Sequence, residues 1–163
     1  MTKNKNFISE EVIEKLLEEM EVESSKVEQH LKNFEEKQGA IYNWLISDSF
    51  DILTTEERGH LLYMAVVVWR ATSTIEKEYH QVTPEEIEKQ EEEVWTVFLE
   101  SKGRFRDKLD VFFKDYDQED LLAFVEDALE IEEEDFLTPV GREIMFVIMK
   151  VLMDLLTKTI TEP

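Results

Sequence analysis

Leu61-Leu62-Tyr63-Met64-Ala65-Val66-Val67-Val68-Trp69 is a run of nine apolar residues in a chain otherwise crowded with glutamate. A segment apolar on every side has to be enclosed on every side. The run therefore predicts a buried element with others packed round it. Three consecutive valines suit a strand. No partner strand is evident, however, and neither Gly nor Pro occurs from Arg70 to Val82, so the run reads as the middle of a helix. Thr54 and Glu57 just before it have the spacing of a capping box. The predicted helix spans about 55–79.

A second stretch makes the same demand. Between Ile144 and Leu156 only Lys150 and Asp154 are charged, and Thr138-Pro139 upstream is a helix opening. This helix is predicted over about 139–159, as the natural partner of Leu61–Trp69.

The remaining segments are amphipathic and supply the cover. Ser9 caps a first helix whose stripe Ile13, Leu16, Leu17, Met20, Val27, Leu31 and Phe34 is interrupted at Ser24 and ends at Gly39. A short helix follows at about 40–49, and Phe50, Ile52 and Leu53 tuck a connection against the core. Thr83, Pro84 and Glu86 open a helix whose buried side is Ile87, Val94, Trp95, Phe98 and Leu99. Gly103 either ends it or is passed through, because Phe105, Leu109, Phe112 and Tyr116 continue the face. Asp117 reads as the cap of the next helix, with stripe Leu121, Leu122, Val125, Ala128 and Leu129, closed by the acidic loop Glu132–Asp135. The fold class is therefore all-α: one domain over 1–163, a bundle of six or seven helices around the two apolar ones, with 1–8 as a flexible N-terminal segment.

Composition limits the function. The 163 residues carry 39 acidic and 18 basic side chains, a net charge of −21. That argues against nucleic acid and against anionic lipid, both of which need clustered cations. It favours basic macromolecules as partners. There is no cysteine, hence no thiol nucleophile, disulfide or thiolate metal site. The longest apolar run is about half a membrane span. With no signal-peptide pattern after Met1, the reading is a cytoplasmic protein.

Chemistry has few footholds. No Gly-x-Ser-x-Gly turn or Gly-rich phosphate loop is present, the four glycines being isolated at 39, 59, 103 and 141. Glu57-x-x-His60 has di-iron spacing but lacks the second pair such a site needs. Both residues are kept as weak metal candidates, and no cofactor is expected. Asp115, Asp117, Glu119 and Glu126 partly match a calcium loop, although Asp120 stands where that loop needs glycine. Lys102, Arg104, Arg106, Lys108 and Lys114 form a basic island, read as pairing with neighbouring acids; docking of that island on a second copy is the alternative.

The tract from Asp115 to Asp135 holds eleven acidic residues and no basic one. Asp115, Asp117, Glu119, Asp120, Glu126, Asp127 and Glu130 are its candidate partner-binding residues. The leading expectation is a non-enzymatic intracellular protein that meets a basic protein through this tract and the first helix, for example as an immunity-like inhibitor. The alternative is a divalent-cation-dependent hydrolase using clustered carboxylates such as Glu11–Glu14, Glu85–Glu88 and Glu132–Asp135.

Overall fold

The computed structural model describes residues 7–75, 80–131 and 136–161, with side chains to 157 in the last segment. The described residues are all-α. They form α1 (Glu10–Val22), α2 (Val27–Lys37), α3 (Gly39–Leu45), α4 (Thr55–Ser73), α5 (Pro84–Glu100), α6 (Phe105–Phe113), α7 (Glu119–Ala128) and α8 (Pro139–Thr161). α4 stops at Ser73, short of the predicted end near 79, with Thr74 as its C-cap; residues 76–79 and the acidic loop Glu132–Asp135 lie outside the described residues.

In α4, Met64 to Trp69 are all buried, and in α8 so are Met145 to Met153. α8 lies against both α4 and α5, while α1, α2 and α7 cover α4. The Trp69 ring stacks on Phe34 of α2, centroids 5.1 Å apart and planes 6° from parallel. Phe146 of α8 gathers Phe98, Phe105 and Phe112 from α5 and α6. The apolar run is not enclosed throughout, because Tyr63 is exposed on one side of α4.

Two breaks raise the helix count among the described residues to eight, and a third boundary is shifted. Ser24–Lys26 form a 3-10 turn that splits the first predicted helix. Ser24 and Ser25 lack an apolar side chain to hold the stripe, and serine hydroxyls compete for backbone groups. Gly39 does not end α2 but begins α3. Gln38 takes the junction instead: it is fully buried, its amide donates to the His80 carbonyl at 2.9 Å, and its carbonyl accepts from Val82 N–H at 3.0 Å. Gly103 has φ +103° and separates α5 from α6.

Gly103 also yields an expected result. A Cβ there would sit 2.7 Å from Asp107 Oδ2. That same oxygen accepts from Arg104 N–H at 2.9 Å and caps α6. Gly103→Ala should therefore cost roughly 1–3 kcal/mol through left-handed strain and a displaced cap. Thermal denaturation followed by circular dichroism reads it.

Several sequence expectations are corrected. Leu99 and Ile52 are exposed rather than buried. α7 starts at Glu119 with Gln118, not Asp117, before it, and that residue makes no side-chain cap. Ile8, placed in the flexible segment, is buried, and its N–H donates to Gln118 Oε1 at 3.0 Å.

Candidate functional site

The two metal candidates separate at once. Glu57 is a buried carboxylate at the start of α4. Its Oε1 accepts from Thr54 N–H at 3.0 Å, and its Oε2 accepts from the N–H and Oγ1 of Thr138, both at 2.9 Å. It thus caps α4 and grips the residue that opens α8. Burial pushes its pKa up, but the bonds from Thr138 and Thr54 outweigh that, so it lies below the ordinary value. His60 points elsewhere. Its Nε2 lies 2.7 Å from the Ala128 carbonyl at the end of α7, and an oxygen there requires that nitrogen to carry the proton. Its ring packs edge-on against Phe136, with centroids 5.3 Å apart. Among the described residues, no group of three or more acids and histidines is arranged to hold a metal.

The acidic tract divides into three settings. Asp115 and Asp117 are exposed in the α6–α7 connection, Asp115 with φ 57°. From Glu119 onward the partial calcium loop is helix, so those acids spread round α7 instead of wrapping one point. Asp120 leans on α1, where its Oδ2 accepts from Glu10 N–H at 2.9 Å. Glu126 and Glu130 face the opposite way, toward α6 and the start of α8.

Asp120 and Gln118 together latch the entry of α1 onto α7. That latch creates a cleft of about 440 Å³ between α1 and α7, with α4 behind it. Ile13, Leu17, Tyr63, Ala123 and Phe124 make the apolar part of its wall. Glu10, Glu14, Asp120 and Asp127 supply its charge, and among the described residues no basic side chain lines it. Burial, and then the charge of Glu21, push the Tyr63 hydroxyl above its ordinary pKa, so it stays neutral in the cleft. Such a surface can hold an apolar side chain while its carboxylates attract cations beside it.

This cleft was only half legible. The density of acid marks α7 and the first helix, where Glu10 sits in the opening turn and Glu14 belongs to the Glu11–Glu14 pair. Nothing short of the fold brings them to Asp120 and Asp127.

Comparison with known protein families, curated proteins and solved structures finds no match. The reading of this site therefore rests on its own residues. Among the described residues no helix is long and apolar enough to cross a membrane.

Proposed function

We propose that this is a non-enzymatic intracellular protein-interaction domain whose α1–α7 cleft receives a basic, amphipathic segment of a partner protein. The observation that carries the proposal is the cleft's composition: four carboxylates around an apolar floor, with no cation among the described residues. An amphipathic helix with lysine or arginine beside its apolar stripe has the matching chemistry. The net charge of −21 acts in the same direction at longer range and speeds encounter with a basic partner. One concrete form is an inhibitor that covers a basic working surface of its target.

The test is fluorescence anisotropy with a labelled lysine–leucine peptide of helical spacing, at low and high salt. Binding should weaken at least about tenfold as salt screens the rim. Glu14→Gln with Asp127→Asn should weaken it comparably, and Leu17→Gln should weaken it without altering the salt slope. Equal binding by the wild type and the carboxamide variant would refute the proposal.

A further inference from the structure

A second cleft opens on the other side of α7, about 650 Å³ in volume, and its walls carry opposite charges. Arg104 and Arg106 at the start of α6, with Arg142 of α8, form one wall. Glu126 of α7 and Glu130 just past its end face them, and Asp127 lines the first cleft as well.

The basic island was expected to pair with neighbouring acids. Among the described residues, none of these three guanidinium groups makes an ion pair or a side-chain hydrogen bond. The fourth acid, Asp107, is already engaged in capping α6 through Arg104 N–H. The Arg142 guanidinium carbon sits over the Phe105 ring, 4.1 Å from its centroid, which holds the group in place. Its Nε is buried and meets no acceptor among the described residues. A shielded donor left unmet is costly and is rarely left so in a finished structure.

The opposite wall is also incomplete. Burial raises the pKa of Glu126, Arg106 lowers it, and Asp127, Asp110 and Glu130 raise it again, leaving it above the ordinary value. Its charge is therefore only partly compensated. A bare anion would relieve the arginines but meet the carboxylates, and a bare cation the reverse.

We propose that this cleft binds a small zwitterion, its anionic group held by Arg142 and Arg106 and its cationic group by Glu126 and Glu130. A planar guanidinium presents parallel donors suited to a carboxylate or a phosphate. The volume is in the range of ordinary small-molecule sites.

The experiment uses the full chain and three zwitterions: β-alanine, free lysine and O-phosphoethanolamine. Inorganic phosphate and ethanolamine serve as the separated halves. Thermal shift and calorimetric titration are read on wild type, Arg142→Met and Glu126→Gln. Arg142→Met keeps an apolar stem over Phe105, and circular dichroism establishes that each variant folds. At least one zwitterion should raise the melting temperature with concentration, as ligand binding to the folded state requires. Each variant should weaken it about tenfold or more. The proposal is overturned if no zwitterion binds, if a separated half binds as well as the zwitterion, or if both variants bind like wild type. Neither variant lines the first cleft, so these outcomes are separate from peptide binding there.

Discussion

Asp154→Ala is expected to lower stability by roughly 3–5 kcal/mol, the cost typical of removing one partner from a buried ion pair. In a chain of this size that corresponds to a fall of roughly 10 °C in Tm. Lys150 is only 7% exposed, and its ammonium contacts both Asp154 oxygens, at 2.6 and 2.7 Å. The same carboxylate accepts from Tyr116 O–H at 3.1 Å and from the Gln90 amide at 2.8 Å. One acid thus ties α5, the α6–α7 connection and α8 together. Burial, then the charge of Asp154, push the Tyr116 hydroxyl well above its ordinary pKa, so it remains a donor at any ordinary pH. Alanine would strand the ammonium against the rings of Tyr116 and Phe112, which hold a cation far less well than a carboxylate does. The double variant Lys150→Met with Asp154→Leu should recover most of the loss, because it removes both charges together. Chemical denaturation of the three variants measures this. A double variant no better than Asp154→Ala would mean that hydrogen bonds from Tyr116 and Gln90, rather than charge pairing, dominate.

The second large effect belongs to Glu57. Glu57→Ala should cost roughly 2–4 kcal/mol, since it removes the shared acceptor of the Thr54 and Thr138 backbone donors. Gly141→Ala should do comparable damage from the other side. A Cβ at 141 would overlap the Glu57 carboxylate, so one of the two must move. The pH dependence follows from the depressed pKa of Glu57. A carboxyl held below its unfolded value contributes stability that is present above the unfolded pKa. That contribution is lost as pH falls through the folded pKa. Stability should therefore drop with acid below the ordinary carboxylate range, and Glu57→Gln should flatten that part of the curve. Urea midpoints taken from neutral pH into the acid range read both effects.

Sequence signals suffice where local physics decides. Thr54 with Glu57 and Thr83 with Glu86 both form the capping boxes their spacing predicts. The burial of Met64–Trp69 follows from composition alone. Errors fell where a distant partner decides. Gly39 reads as a helix end, yet Gln38 closes that junction through His80 and Val82, more than forty positions away. Glu57 reads as a cap and a metal candidate, but its second oxygen belongs to Thr138, 81 positions on. Asp120 reads as surface charge, yet it receives Glu10 N–H across 110 positions. Charge density located α7 but could not divide its faces, because helical spacing alone does not say which neighbour each face meets.

Asp127 lies on the border between the two clefts and lines both. Its charge is a resource held in common. A cationic group that neutralises it from one side reduces the negative potential felt on the other. A basic segment in the first cleft and the cationic group of a zwitterion in the second would then oppose each other without touching. By thermodynamic reciprocity, each would weaken the other by the same factor. If both proposed sites bind as described, α7 would be a thin partition through which the occupancy of one cleft is registered in the other.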